Sequence, residues 1–467
     1  MRYQTALRPD RAAGGLRGRD GCSANGGFAA SVVAGTHRRA DSGPMQPSDV
    51  DGRRVLLFSS IGHTLMHLMT AFYAVIVLTL AVSWEISAAE LLKLYVPATI
   101  LLGVVSLPAG WASDRFGAPR VMVVMFVGLG LSSIACGLVA ERDTTALMLA
   151  LCGIGAFGAI YHSVGIGWVI RTAREQGHAL GVNGLWGSAG LALYGVVPGV
   201  LATFGSWRLA FIVPGVVCVL AGLMLVRAIR RGTVGDRPMP ATSGAQAGKR
   251  QFWRVFLVLS FTMALEGVIW QAVVLGAALV FEIGFATEIA ALRDGLAGMG
   301  IVTPVVLWAG IAASSIYVVS GVAQYALGRS VIDRYSSRSV YFVASALQVF
   351  AMIALATGNG FVALAGAIAS AVLSSAAGPV ENLLIARYTP SRYHGLGFGA
   401  KFVVAFGAGP LAILLIAWVK ERSGSLDPLF WGLAGAAVAI ALAALLLPRD
   451  DRDEPEPIAA PRTVPAE

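Results

Sequence analysis

Between residues 54 and 447 the chain consists of long apolar segments separated by short polar ones. Each segment reaches the roughly 20 residues that a helix needs to cross the hydrocarbon core of a membrane. Because a bilayer offers no water to backbone N–H and C=O groups, such segments must pair these groups internally, as helices do. Only 13% of the residues are charged, against about 25% in a soluble domain. The sequence therefore predicts an all-α membrane protein.

Twelve transmembrane helices are predicted in this part of the chain. They lie near residues 54–83, 89–113, 118–140, 145–170, 178–203, 207–229, 253–284, 299–327, 338–357, 361–386, 395–419 and 427–447. The polar stretch 231–251 follows the sixth of them and is expected to be a cytoplasmic linker. The predicted fold is thus two pseudo-symmetric six-helix bundles, 54–230 and 252–447. The tails 1–53 and 448–467 are rich in polar residues and are expected to be disordered.

Basic residues are distributed unevenly over the predicted loops. If the amino terminus lies in the cytoplasm, sixteen arginines and lysines fall in inner loops and six in outer loops. Cytoplasmic loops of membrane proteins carry such an excess. We therefore expect a multi-pass protein of the inner membrane with both termini cytoplasmic. The net charge of +9 is then a topology signal, and no nucleic-acid partner is expected.

Short patterns recur in the two predicted halves. An Arg–His–Gly pattern that follows the fourth span returns 216 residues later, after the tenth. Its six residues are Arg171, His178, Gly181, Arg387, His394 and Gly397. The pair Asp114–Arg115 after the second span likewise returns as Asp333–Arg334 after the eighth. Repeated halves around a linker are typical of alternating-access transporters.

The loop after the second span identifies a family. Residues 110–120 read GWASDRFGAPR, which resembles the loop motif of the major facilitator superfamily. The matching residues are Gly110, Asp114, Arg115, Gly117 and Arg120. Ala118 and Pro119 stand where further basic residues are usual, and in the second copy Ser336 replaces the glycine. The resemblance covers residues 54–447 and implies a secondary transporter of the superfamily's twelve-helix fold.

The resemblance implies that this motif is a conformational latch rather than a substrate site. Asp114 is predicted at the cytoplasmic end of the second span, and the eleventh span begins on the same side. The start of a helix carries partial positive charge, so an anion there holds the two halves together. The basic neighbours Arg115 and Arg120 are expected to keep the aspartate in place. The alternative is an ordinary, solvated loop carboxylate.

Two further segments resemble branches of the superfamily. Residues 161–165 (YHSVG), followed by Arg171 to Gly181, are similar to the bacterial drug-efflux branch that includes fosmidomycin-resistance-type permeases. The fifth span partly resembles the glycine–proline motif of antiporters, through Gly187, Gly190, Gly195, Pro198 and Gly199. Both resemblances favour export. The arginine that is common within the fourth span of proton-coupled exporters is absent, which leaves the coupling mechanism open.

Ionisable residues inside a membrane are costly, so those within the spans are the candidate transport groups. At 1.5 Å per residue, Glu266 lies about 18 Å from Arg254, and His67 about 19 Å from Arg54. Both depths are near the middle of a core about 30 Å thick. We hypothesise that Glu266 is a protonatable coupling site, because removal from water favours a neutral carboxyl group. A hydrogen-bonded glutamate that only fixes helix packing is the alternative.

Three histidines and a glutamine complete the predicted midplane set. His63 lies one helical turn from His67, and His162 lies in the fourth span. Charged histidines bind anionic substrates, and near neutral pH they relay protons. The alternative is that each only donates a hydrogen bond between helices. Gln271, about one turn after Glu266, is expected to line the same substrate cavity.

Glu381 and Lys401 lie on consecutive antiparallel spans at similar depth. We predict that they pair, because either charge alone would be costly to bury. The pair then serves the substrate cavity or a gate. The alternatives are a purely structural ion pair or a lysine that extends to the interface.

Sequence motifs for other chemistry are absent. There is no Walker motif, nucleophile elbow or histidine–cysteine metal spacing, so no catalytic residue, metal or cofactor is expected. The predicted function is secondary active transport of a small-molecule substrate across the inner membrane by alternating access. The expected transporter is a monomer, proton-coupled, with export favoured. A polytopic membrane enzyme using Glu266, His67 and His162, or a transporter-like sensor or scaffold, remains an alternative.

Overall fold

The computed structural model describes residues 51–194, 196–237, 249–284, 290–291, 294–295, 298–299, 305–358 and 360–448. The predicted disorder of residues 1–50 and 449–467 therefore lies outside the described residues, as do most of the predicted linker and Gly195 of the antiporter-like motif.

The described part of the chain is α-helical, as predicted. Before the linker the helices are α1 (Gly52–Ala71), α2 (Tyr73–Trp84), α3 (Ala88–Lys93), α4 (Val96–Val104), α5 (Ser106–Phe116), α6 (Ala118–Leu138), α7 (Thr144–Ile160), α8 (Ile166–Thr172), α9 (Gln176–Leu193), α10 (Val196–Phe204) and α11 (Trp207–Arg230). After it follow α12 (Lys249–Gly284), α13 (Val305–Leu327), α14 (Ser337–Thr357), α15 (Gly360–Tyr388), α16 (His394–Ser423) and α17 (Asp427–Ala444). Two short π-helical turns, Tyr161–Gly165 and Gly328–Ile332, follow α7 and α13.

Within the described residues, nine helices are long and apolar enough to cross a membrane. A tenth results if Glu90–Val104 and Ser106–Phe116, which are bent by 42°, form one broken span. The remaining two predicted spans, near 299–327 and 395–419, fall on α13 and α16. The prediction of an all-α membrane protein is confirmed, while the count of twelve crossings stays a prediction.

The break in the second predicted span has local causes. Pro108 stands in the first turn of α5, where it has no N–H to donate to the carbonyl oxygen of Val104, so the helix is interrupted between α4 and α5. At the other end, α5 stops at Gly117, whose φ of +85° is in a region that glycine adopts without strain. The motif glycine therefore allows the chain to turn sharply from α5 into α6.

Glycine also sets how closely the helices approach. A Cβ at Gly130 of α6 would lie 2.6 Å from the carbonyl oxygen of Gly215 in α11. The helices α5 and α16 meet in the same way, and so do α9 and α13. A Cβ at Gly110 would lie 1.9 Å from the carbonyl oxygen of Gly395. Such contacts let the helix backbones pack closely. Close packing matters in a bilayer, because lipid tails are as apolar as the side chains and the hydrophobic effect does not drive helices together.

The beginning of the predicted linker is held against α8 and the start of α6. Trp168 donates through Nε1 to the carbonyl oxygen of Gly235 at 2.9 Å. Asp236 accepts from Nε of Arg171 at 3.0 Å and from the backbone N–H of Ala118 at 2.9 Å. These bonds anchor the described start of the linker beside the end of α5, which carries Asp114.

Candidate functional site

A cavity of about 910 Å³ lies between helices from both parts of the chain. A smaller extension of about 280 Å³ continues from it and shares Glu381, Ser320 and Phe402 with it. Glu266, Gln271 and Glu381 line the larger space. Three histidines and a lysine, His63, His67, His162 and Lys401, line the extension. The structure thus brings all seven predicted cavity residues to the walls of two adjoining spaces.

The cavity extends away from the loop motif. Leu92 in α3 and Val96 in α4 line it, and both lie at the start of the bent segment that ends near Asp114. We call the end of the helices that carries Asp114 and Asp333 the latch end. The extension with the histidines lies on the side of Ile166, which is closer to the latch end.

Glu266 occupies the wall of the larger space. Its Oε1 accepts a hydrogen bond from Oγ of Ser374 on α15. Gln348 in turn donates through Nε2 to Oγ of Ser370 at 2.8 Å and approaches Ser374 at 3.5 Å. The carboxyl group is half-buried and faces the cavity. It is therefore able to exchange a proton with the cavity or to bind a cationic group of a solute.

Glu381 and Lys401 lie side by side, with Nζ 3.4 Å from Oε2. Oε1 of Glu381 also accepts from the hydroxyl of Tyr341 at 2.8 Å, and Lys401 donates to Oδ1 of Asn382. The two side chains are only 8% and 3% exposed. A buried pair is stable only when further hydrogen bonds complete both groups, and here Tyr341 and Asn382 supply them.

The three histidines converge from two helical segments. Nε2 of His67 lies 3.1 Å from Nε2 of His63, one turn away on α1. His162 comes from the π turn after α7, and its ring centroid is 5.3 Å from that of His63 and 5.1 Å from that of His67. A π turn inserts one residue and so rotates the side chains that precede it relative to those that follow.

A hydrogen-bonded layer behind the histidines holds them in place. The hydroxyl of Tyr161 lies 3.0 Å from Oγ of Ser59 and donates to Oδ1 of Asn183 at 2.9 Å. Nδ2 of Asn183 completes the triangle with Ser59 at 3.2 Å. The ring of Tyr161 stacks on His63 with centroids 4.5 Å apart. This layer fixes the position of His63.

At the latch end, Asp114 binds the beginning of α16. Its carboxylate accepts from the backbone N–H of Gly395 at 2.7 Å and of Leu396 at 2.9 Å. These are among the first N–H groups of the helix, which have no partner within it. The contact joins α5, before the linker, to α16, after it. It has the geometry that the latch hypothesis requires.

Asp333 makes the equivalent contact in the opposite direction. Its carboxylate accepts from the N–H of Gly177 at 2.7 Å and of His178 at 2.8 Å, at the start of α9. Gly328 approaches the same helix, since a Cβ there would lie 2.4 Å from the carbonyl oxygen of Gly177. Two aspartates from different parts of the chain thus hold two helix starts at the same end.

The basic residues of the motif differ from the expectation. Within the part of the chain that the structure describes, neither Arg115 nor Arg120 forms an ion pair with Asp114. Arg120 donates to the carbonyl oxygen of Phe116 at 3.5 Å instead. The backbone N–H groups of α16 already satisfy the aspartate. No ion pair of Arg334 with Asp333 is seen among the described residues either.

Sequence reasoning missed several contributing residues. Ser59, Tyr341 and Ser374 are ordinary members of apolar segments, although a polar group inside a span is a usable signal. Nothing in the sequence marks Asp236, because it lies in a polar stretch where a carboxylate is expected to be exposed to water.

Comparison with known proteins gives matches along most of the chain. The family model of the Major Facilitator Superfamily matches residues 59–313, more than half of the chain. The probable sulfoacetate transporter SauU of Cupriavidus necator is 26% identical over 74% of this chain and 83% of its own. The puromycin resistance protein pur8 of Streptomyces alboniger is 28% identical over 44% of this chain, and the match spans only 41% of that protein. The solved structure of the proton:xylose symporter XylE bound to 6-bromo-6-deoxy-D-glucose has a TM-score of 0.66 at 16% identity, covering 85% of this chain and 96% of that one.

Proposed function

The chain belongs to the major facilitator superfamily, and we propose that this secondary transporter moves a small solute across the inner membrane by alternating access, with protons as the coupling ion and export as its direction. The observation that carries the proposal is the cavity and its extension, which described helices from both parts of the chain line with ionisable groups.

The alternating part of the proposal is supported by the contacts at the latch end. At that end, Asp114 binds the start of α16 and Asp333 binds the start of α9. The cavity extends to Leu92 at the opposite end. Breaking both contacts would let the helices part and open the cavity on the other side. The two aspartates therefore bias a two-state equilibrium, which is what alternating access requires.

Proton coupling is proposed through Glu266. The carboxyl group lines the cavity and has a hydroxyl partner, Ser374, that accommodates both its charged and its neutral form. Glu381 is less suited to this role, because Lys401 and Tyr341 already occupy its oxygens. Protonation of Glu266 changes the charge of the cavity wall, and so couples proton binding to which state is favoured.

The proposed orientation follows from the loop charges, which favour an inner membrane with both termini in the cytoplasm. The latch end is then cytoplasmic. Export is supported by the partial antiporter-like pattern of the fifth span and by the match to a puromycin resistance protein. The match to a probable sulfoacetate transporter makes a small anion the other solute to test.

A flux assay on proteoliposomes tests the proposal. The purified full-length chain is reconstituted with a pH-sensitive dye inside, and either puromycin or sulfoacetate is added. Solute movement is expected to shift the internal pH, and an imposed pH gradient is expected to drive solute against its own gradient. The Glu266→Gln variant should keep solute exchange at equal concentrations but lose proton movement.

The matched control is Glu421→Gln, an exposed glutamate outside the cavity, which should behave as the unchanged protein. Proton movement that persists in Glu266→Gln would remove Glu266 from the coupling mechanism. If no solute of a wider panel of organic anions and cations moves through the unchanged protein, transport itself is contradicted.

A further inference from the structure

The histidines His63, His67 and His162 form a cluster whose geometry suits more than single hydrogen bonds. One ligand atom from each lies within 4.8 Å of those from the other two. His63 and His67 stand four residues apart on α1, where side chains of a helix are neighbours. His162 approaches from the π turn that follows α7. The three rings thus point at one common volume.

The environment of His63 sets which of its nitrogens faces that volume. Nδ1 lies 2.8 Å from the carbonyl oxygen of Asn183. A carbonyl oxygen only accepts, so Nδ1 carries the proton and the lone pair of a neutral ring is on Nε2. That Nε2 faces His67. Histidines that ligate metals have the same arrangement, with the outer nitrogen donating to a carbonyl group.

His162 supplies the third observation. The residue is 9% exposed, and its Nδ1 has no hydrogen-bond partner among the described residues. A buried polar atom without a partner is costly. Phe402 and Phe406 pack on the ring, with centroids 4.8 and 5.4 Å away, so the protein offers apolar support on that side and no acceptor. Among the described residues, no hydrogen-bond acceptor therefore competes with a ligand for this nitrogen.

We propose that His63, His67 and His162 bind a divalent transition metal ion such as Zn²⁺. Tetrahedral zinc with Zn–N bonds of about 2.0–2.1 Å places its nitrogens about 3.4 Å apart. His63 and His67 are already 3.1 Å apart, and the widest separation in the cluster requires a side-chain movement of only about 1–1.5 Å. Binding replaces the hydrogen bond between the two rings, with His67 then protonated on Nδ1.

The remaining coordination position faces the cavity. All three histidines line the extension of about 280 Å³, so water or an oxygen of a solute has access to the ion. Glu381 and Lys401, which also line the extension, carry opposite charges that neutralise each other. The positive charge of the ion therefore favours an anionic fourth ligand, such as a carboxylate. Three histidines with one open position is the arrangement of zinc sites that bind an exchangeable ligand.

From the sequence we expect no metal site, because metal motifs are recognised by the short spacing of their ligands along the chain. The third histidine lies 95 residues after His67, and only the packing of α1 against the π turn joins them. Such a separation leaves no motif to find.

The test uses the purified full-length protein with a tag that contains no histidine. Calorimetry with Zn²⁺ is expected to give one ion per chain, and Co²⁺ is expected to give the visible absorption bands of tetrahedral coordination by nitrogen. His162→Gln and His67→Gln should each weaken Zn²⁺ binding by about 100-fold or more, because even loss of an outer hydrogen bond costs 10- to 100-fold. Zn²⁺ should also raise the unfolding temperature of the unchanged protein and not of these variants.

His178→Gln is the matched control, because this histidine lies at the latch end away from the cluster, and it should leave binding unchanged. Absence of stoichiometric Zn²⁺ binding to the unchanged protein would overturn the proposal. So would equal binding in His162→Gln and the unchanged protein, since the ion would then be held elsewhere. Metal binding needs no transport, so Glu266→Gln should bind Zn²⁺ normally, and failure of the flux assay leaves this result unaffected.

Discussion

Replacement of Asp114 by asparagine should shift the protein towards the state that is open at the latch end. The carboxylate accepts from two backbone N–H groups at the start of α16, at 2.7 and 2.9 Å. An asparagine offers one oxygen and one NH₂ group. One of the two bonds is therefore lost, because the NH₂ group and a backbone N–H group are both donors. The variant also loses the attraction between the negative charge and the helix start.

The size of the shift follows from these contacts. A hydrogen bond to a charged group contributes about 1.5–3 kcal/mol when it is buried, but Asp114 is partly exposed and water screens its charge. We therefore expect a change of about 1–2 kcal/mol, which is a shift of about 5- to 30-fold between the two states. The equivalent variant Asp333→Asn acts on the same equilibrium at a separate site. The double variant should therefore add the two free energies, giving about 2–4 kcal/mol.

Single-molecule fluorescence energy transfer measures this equilibrium. Dyes are attached to cysteines at Arg174 and Tyr335, two exposed positions at the latch end on either side of the linker, after the native cysteines have been replaced. The protein is held in lipid nanodiscs. Low-transfer molecules should be rare in the unchanged protein and increase in Asp114→Asn.

The control is Asp143→Asn, which changes an exposed aspartate that caps the start of α7. An asparagine still caps a helix, so the populations should stay as in the unchanged protein. Identical populations in Asp114→Asn and the unchanged protein would refute the reasoning, and so would a double variant no different from either single one.

Three further predictions concern packing and ion pairs. Gly110→Ala places a methyl group 1.9 Å from a carbonyl oxygen of α16, so the two helices must part by more than about 1 Å, and the same dye pair should report more of the low-transfer state. Lys401→Met leaves Glu381 buried without its cation and should cost about 3–5 kcal/mol, seen as a lower unfolding temperature that Lys401→Met combined with Glu381→Gln largely restores. Asp236→Asn removes the partner of Arg171 and should speed cleavage of the linker by trypsin, because the start of the linker is no longer held down.

The first two of these have a matched control. Gly199→Ala adds a methyl group with no atom within 4 Å and should leave the dye signal unchanged. Glu421→Gln changes an exposed glutamate and should leave the unfolding temperature within measurement error. Equal unfolding temperatures of the single and double Lys401 variants would contradict the pairing. An unchanged cleavage rate in Asp236→Asn would mean that the linker is anchored by other contacts.

Much of the candidate site follows from counting residues along the spans. Depth in a membrane helix is set by its rise per residue, so two charges at similar depth on consecutive spans are expected to meet. The structure brings Glu381 and Lys401 to 3.4 Å and puts Glu266 on the cavity wall. The contact of Asp114 with the start of α16 is predicted in the same way, because the second span ends and the eleventh span begins on the same side.

Contacts that depend on how a helix is rotated about its own axis cannot be predicted by counting residues. His162 meets His63 only because the π turn rotates it towards α1, and no property of the local sequence sets that rotation. Arg115 and Arg120 lie next to Asp114 in the sequence but form no ion pair with it among the described residues, because a nearer set of N–H groups satisfies the carboxylate.

The sequence alone predicts an all-α membrane protein, which the structure confirms, and it also predicts which residues lie at mid-depth in the spans. A helix in lipid satisfies its own backbone, so span and depth are local properties that one segment contains in full. The tertiary structure decided which of those residues share a space. The direction in which a side chain points depends on how helices far apart in the chain pack, at glycine contacts such as Gly110 with Gly395, and that information is not held in either segment by itself.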